Sequence, residues 1–310
     1  MPYTTLPRFK KLVRKAMTLT GLADNSLHFL QTRYERLHSK YLILHGMRVH
    51  YTDDGQGPVL ILLHGIMASV HTWDGWVEAL RPHYRIICID LPGFGLTGQH
   101  PEHRYHPVDY VQFLDDFRAA LGISRFHLAG NSLGGAISWC YARHFPEHVD
   151  RLVLLNPAGY QQPLSGMLRL VVNPAAMRLL QRTLPRFVIT VGLREVYGDP
   201  ARIRPGTDRR YHDLILRPGN RLAIAKVSQM FVALNAPGHL EKEIPHLSVP
   251  TMLMWGDLDR WIPPSLVSRW QADVPHIHVK IYKGVGHVPM EEIPEQSASD
   301  AHRFLCGDDD

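Results

Sequence analysis

The chain has 310 residues, 45% of them hydrophobic and 20% charged, a balance that fits a soluble globular enzyme. Its net charge of +5 sits at one end: residues 1–48 carry nine Lys/Arg against Asp24 and Glu35, so the remainder sums to −2, and no nucleic-acid partner is expected. Three scattered cysteines (Cys88, Cys140 and Cys306) argue against a disulfide framework and fit a reducing compartment, and no run of 18 apolar residues is present to form a transmembrane helix.

Residues 1–38 read as a basic amphipathic arm without the continuous apolar core of a signal peptide. Phe9, Leu12, Val13, Ala16, Met17 and Leu19 fall near one helical face, with Lys10, Lys11, Arg14 and Lys15 largely off it. The first expectation is a helix docked on the body of the protein, and the second is peripheral membrane contact through residues 8–22. Tyr41–Leu44 and Arg48–Tyr51 then form a hairpin around His45-Gly46-Met47. Val59–Leu63 and Tyr84–Ile89 are apolar runs of the kind that become strands buried on both faces. Trp73–Leu80 and Asp109–Leu121 carry helical patterns. Phe126–Ala129 is a strand, Ala136–Phe145 a helix stopped by Pro146, and Val149–Leu155 another strand. Between about Tyr160 and Pro237 the rhythm breaks into Leu-, Met-, Arg- and Pro-rich sequence, with helical patterns at Met167–Val172, Ala175–Thr183 and Arg221–Leu234. Thr251–Trp255 resumes the strands, followed by a helix over Ser265–Ala272, a last strand at His278–Tyr282 and a closing helix at Gln296–Leu305. Alternation of this kind predicts an α/β fold, a mostly parallel sheet flanked by helices. The predicted organisation is the arm at 1–38, a core at 39–159 and 238–307, and an inserted helical cap at 160–237.

The most informative segment is Gly130-Asn131-Ser132-Leu133-Gly134, lying between a strand and a helix. A serine between glycines at such a turn is a nucleophile elbow, because side chains beside the serine would clash. A serine hydroxyl needs a base, an orienting acid and donors for the developing oxyanion. His287, in a glycine-rich loop after the last strand, is the expected base. Asp259 is the expected acid, with Asp257 as its rival. The backbone N–H groups of Leu133 and Ile66, the latter in His64-Gly65-Ile66-Met67, are the expected oxyanion donors. Such donors are worth about 3 kcal/mol each. His64 is expected to bond loop backbone.

These pieces, together with Asp90-Leu91-Pro92-Gly93-Phe94-Gly95, resemble the α/β-hydrolase fold superfamily over roughly residues 40–306. The resemblance is greatest to bacterial lid-bearing serine esterases and to carbon–carbon hydrolases of aromatic ring cleavage. It implies an eight-stranded, mostly parallel sheet and the triad Ser132, Asp259 and His287. The superfamily's alternative acid position, after Leu155, is Asn156 here. Aspartate-nucleophile relatives differ at Ser132.

The expected activity is hydrolysis of carboxylic esters with short- to medium-chain apolar acyl groups, without cofactor or metal. One alternative is carbon–carbon hydrolysis of aromatic meta-cleavage products, which needs a cation facing Ser132, for which Arg194 and Arg260 are candidates. Another is a ligand-binding protein with a vestigial triad. Met67, Phe94, Met167, Met230 and Val288 are candidate substrate contacts. Leu168, Leu170, Met177, Leu179, Leu180 and Phe231 are further apolar cap positions, each more readily explained by packing. Trp73 and Trp76 are expected in the core. His100, His103 and His106 have metal-like spacing but read as a solvated loop. The expected partner is a small-molecule ester, the oligomeric state monomer or homodimer, and the location cytoplasmic, with membrane association through the arm as the alternative.

Overall fold

Eight strands form one sheet in the order β1-β2-β4-β3-β5-β6-β7-β8. They are β1 Ser39–Leu44, β2 Met47–Asp54, β3 Val59–Leu63, β4 Arg85–Ile89, β5 Phe126–Asn131, β6 Val149–Leu155, β7 Thr251–Gly256 and β8 His278–Tyr282. The β1–β2 and β2–β4 pairs are antiparallel, and every pair from β4 across to β8 is parallel. The computed structural model describes residues 17, 20–164, 166–234 and 240–308, with backbone alone for Met167 and residues 230–234. Most of the basic segment 8–22 lies outside the described residues.

The apolar runs become central strands because helices cover both sheet faces. Leu60–Leu63, Ile86–Ile89 and Leu152–Leu155 are fully buried. Around the sheet lie α1 Leu27–Tyr34, α2 Asp74–Leu80, α3 Pro107–Ala120, α4 Leu133–His144, α10 Val267–Asp273, α11 Pro289–Glu292 and α12 Pro294–Cys306. Trp73 and Trp76 are buried, and the Trp76 indole donates to Ser297 in α12 at 2.8 Å.

Between β6 and β7 the chain forms α5 Gly166–Val172, α6 Pro174–Arg182, α7 Arg186–Val196, α8 Thr207–Ile215 and α9 Asn220–Leu234. Three of these follow the sequence patterns, whereas α7 and α8 were not anticipated. The β-branched residues and glycine of α7 and the polar character of α8 weaken local helix propensity, and packing between the two helices overrides it. Helix α1, in the second half of the arm, is docked rather than free. Leu30 and Tyr34 pack with Leu96 and Leu214, and the Tyr34 hydroxyl donates to Asp213 of α8 at 2.7 Å.

One buried carboxylate organises the loops at the carboxyl ends of the strands. Asp90, just after β4, is fully buried. It is hydrogen-bonded to the His50 Nδ1 of β2 at 2.7 Å and accepts from the backbone N–H groups of Val70 at 2.8 Å and Leu96 at 2.7 Å. Burial acts to raise its pKa, but His50, His64 and the Leu96 N–H together outweigh it and hold the carboxyl down to about 2. A folded-state pKa below the unfolded value stabilises the fold above the unfolded pKa of about 4. That stability is lost as the pH falls from about 4 toward about 2. Asp90→Asn is therefore expected to be less stable than wild type at neutral pH in urea unfolding, with the difference shrinking over that acid range. A difference that stays constant down to the acid limit would refute the assignment.

Candidate active site

Ser132 is the hinge residue between β5 and α4. Its backbone sits at φ 54° and ψ −114°, a strained conformation for a residue with a side chain. Three backbone bonds fix it. Ser132 N–H donates to Leu155 C=O at 3.1 Å, while its own C=O accepts from Ala136 at 2.9 Å and Ala158 at 3.2 Å. The flanking glycines are required sterically. A Cβ on Gly130 would stand 2.3 Å from Gly134 C=O, and one on Gly134 would stand 2.2 Å from Leu63 C=O. Leu133 opens α4, at a position whose N–H has no intrahelical partner.

His287 is buried and is hydrogen-bonded through Nδ1 to Asp259 Oδ2 at 2.7 Å. Its Nε2 is buried with no hydrogen-bond partner among the described residues, and its ring lines the same cavity as Ser132. The backbone is held on both sides: His287 N–H donates to Val196 C=O at 2.7 Å, and His287 C=O accepts from Asn131 Nδ2 at 2.9 Å. Asp259 collects four donors. Oδ1 accepts from the N–H groups of Trp261 (2.7 Å) and Ile262 (3.0 Å), and Oδ2 accepts from Asn156 Nδ2 at 2.7 Å as well as from His287. An acceptor-only group so surrounded cannot rotate freely, so the imidazole it orients is fixed too.

The rival carboxylate is turned away. Asp257 is exposed and accepts from Gly284 N–H at 2.7 Å, the role of a loop cap. Asn156 has a part that sequence reasoning did not give it. Its side-chain amide donates to Asp259 Oδ2 and steadies that carboxylate. Glu292 was also missed. Its buried carboxylate accepts from Gly198 at 3.0 Å and from Gly286 at 2.6 Å, joining the histidine loop to the segment after α7. Burial raises its pKa, and these N–H donors oppose the shift. His64 bonds loop backbone as expected, through Nδ1 to Gly65 C=O at 2.7 Å and through Nε2 from Leu91 N–H at 3.1 Å.

The cavity over Ser132 has a volume of ≈ 90 Å³. Gly65, Ile66, Met67 and Val288 lie on its wall, as do Leu180, Leu184 and Val188 from the inserted helices. Phe94 does not line it. That ring is fully buried, edge-on to His64 with centroids 5.5 Å apart, because the turn after Asp90 folds it into the core. The side chains of Met167, Met230 and Phe231 lie outside the described residues. Leu168 lines a smaller adjoining pocket, Met177 is buried, and Leu170 and Leu179 face outward. The unanticipated lining comes chiefly from α7. Ile189, Leu193 and Val196 recur at helical spacing, a signal that was available but was masked by the helix's β-branched composition. His103 and His106 are exposed in the loop before α3 as expected, but His100 is buried rather than solvated, its Nδ1 accepting from Glu102 N–H at 3.1 Å.

Comparison with known proteins gives concordant results. A family model described as alpha/beta hydrolase fold matches residues 58–294. Lipase 1 of Psychrobacter immobilis is 28% identical over 267 residues, covering 84% of this chain and 81% of the lipase. A solved bacterial virulence factor described as a membrane phospholipase A superposes with a TM-score of 0.68 at 28% identity, covering 98% of this chain and 93% of its own. The meta-cleavage product hydrolase of Pseudomonas fluorescens IP01 has a TM-score of 0.75 at 22% identity, covering 88% of this chain and 100% of its own, a likeness of fold.

The elbow sterics make a direct prediction. Gly134→Ala places a methyl group against the backbone of Leu63 and His64, which cannot yield as a side chain would. It should cost about 3 kcal/mol or more in urea unfolding, or prevent folding. Gly122→Ala, at φ +67° with open space around it, should cost only about 1 kcal/mol. Equal costs would show that the elbow contact does not limit the fold.

Proposed function

The chain belongs to the alpha/beta hydrolase fold family, and on that premise we propose that it is a serine hydrolase of carboxylic esters with short- to medium-chain apolar acyl groups. The single observation that carries the proposal is the company of Ser132. It shares an apolar cavity with a buried imidazole whose Nε2 is without a partner and whose Nδ1 is bonded to a fixed carboxylate. Lipases at 25–28% identity, Lipase 1 among them, support an acyl-ester substrate.

In this reading His287 Nε2 takes the proton of Ser132 as the oxygen attacks the acyl carbon. The N–H groups of Ile66 and Leu133 receive the oxyanion. The tetrahedral intermediate collapses, His287 gives its proton to the leaving alcohol, and an acyl-enzyme remains on Ser132. Water, deprotonated by His287, then releases the acid. Asp259 holds the imidazole tautomer and offsets the charge of the imidazolium, and Asn156 keeps the carboxylate in place.

The carbon–carbon reading requires a cation facing the nucleophile for a dianionic substrate. Neither Arg194 nor Arg260 lines the cavity, and no Lys or Arg does so among the described residues. The ester reading is therefore preferred. A binding protein with an idle triad is separated from it by turnover alone.

Ser132→Ala should lower hydrolysis of p-nitrophenyl butyrate by about 10³-fold or more, with an unchanged melting temperature. Wild-type turnover in that variant would overturn the nucleophile assignment, and negligible turnover by the wild type across a chain-length panel would favour the binding protein. Asp259→Asn should lower kcat by about 10⁴-fold. Asp257→Asn should leave it nearly unchanged, and the reverse order would reassign the acid.

A further inference from the structure

The helices that wall the acyl cavity have a second face. Leu180 and Val188 point into the cavity, yet their neighbours Leu179 and Phe187 are 61% and 68% exposed. Val191, one turn beyond Phe187 on α7, is 50% exposed. Large apolar side chains in such number on one set of helices are not explained by packing of this chain.

The sequence of these helices is basic, and of its arginines Arg186 is paired with Asp208 of α8 at 3.1 Å. Residues 157–194 hold five arginines (Arg169, Arg178, Arg182, Arg186 and Arg194) and no carboxylate. Residues 1–23 hold Arg8, Lys10, Lys11, Arg14 and Lys15, again with no carboxylate. Folding brings the end of the second stretch, at Thr20 and Gly21, against the first. Thr183 Oγ1 donates to Thr20 C=O at 2.8 Å, and Gly21 lies so close to Leu184 that a Cβ would meet its carbonyl at 2.2 Å. Leu22, beside this junction, is 55% exposed. The chain at Thr20–Leu22 thus lies against the α6–α7 turn.

We propose that the outer face of α6 and α7, with the chain at Thr20–Leu22, docks on an anionic lipid bilayer surface. Exposed apolar residues within a field of arginines match an interface whose headgroups are negative and whose interior is apolar. The inner sides of the same helices line the acyl cavity, so docking would place that cavity against a store of acyl esters. The proposal thus rests on the ester-hydrolase reading for its purpose, though not for its test.

The test is co-sedimentation with vesicles, using the full chain carrying Ser132→Ala so that binding is read without hydrolysis. The protein should pellet with phosphatidylglycerol–phosphatidylcholine vesicles and much less with phosphatidylcholine alone, with the difference falling as salt rises. Arg178→Glu with Arg182→Glu should weaken anionic-vesicle binding at least 10-fold, and Leu179→Ser with Phe187→Ser should do likewise. With Ser132 intact, both pairs should hydrolyse soluble p-nitrophenyl butyrate at the wild-type rate, since none of the four side chains lines the cavity. The proposal fails if the unaltered face does not bind anionic vesicles, or if both paired variants bind as tightly as their parent. It also fails if the serine pair converts a dimer to a monomer in analytical ultracentrifugation, which would assign the face to a second copy. Loss of esterase activity with intact vesicle binding would instead overturn the ester reading alone.

Discussion

The site depends on a backbone constraint at one turn. Ser132 can stand above the sheet only because β5 reverses into α4 within a single residue, at φ 54°. That reversal brings Gly134 against the backbone of Leu63 and His64, and Gly65 to where a Cβ would lie 3.2 Å from Ser132 Cβ. The turn at Ser132 and the loop bearing Ile66 are therefore packed as one unit. The strain at Ser132 persists because the surroundings over-determine it: Leu155 accepts its N–H, and Ala136 and Ala158 donate to its carbonyl.

Buried carboxylates do for the surrounding loops what glycine sterics do for the elbow. Each is an acceptor-only group in a poorly solvated place, so it is tolerated only where several donors converge, and the donors come from different segments. Asp90 gathers β2, the segment after Ile66 and its own turn. Asp259 gathers the acid loop, Asn156 after β6 and the histidine. Glu292 gathers the histidine loop and the chain after α7. Glu291 accepts from Thr72, Tyr197 and Tyr211, tying α11 to the inserted helices. A chain of such hubs fixes His287, and Asn131, beside Ser132, ties it to the turn by donating to His287 C=O at 2.9 Å.

The inserted helices serve two environments. Their inner residues close an apolar cavity over the serine, and their outer residues present apolar side chains among arginines. The inward residues of α7, Ile189, Leu193 and Val196, recur at helical spacing. Its Val, Ile, Thr and Gly lower local helix propensity, and contacts with α8 and the core settle its form instead.

The sequence by itself determined the sheet, the chain order of Ser132, Asp259 and His287, and the tight turn at Ser132, because each rests on short-range rules. Apolar runs bury on both faces, and glycines permit a turn that other residues forbid. It favoured Asp259 over Asp257 from loop position alone, whereas the contacts that separate the two, Asp259 with His287 and Asn156 and Asp257 with Gly284, are made across the ends of distant strands. It could not send Phe94 inward beside His64, recruit Glu292 to hold the histidine loop, or divide the faces of α6 and α7 between cavity and surface. Those were decided by the tertiary structure, because each depends on which distant segment arrives to supply a donor, a wall or nothing at all.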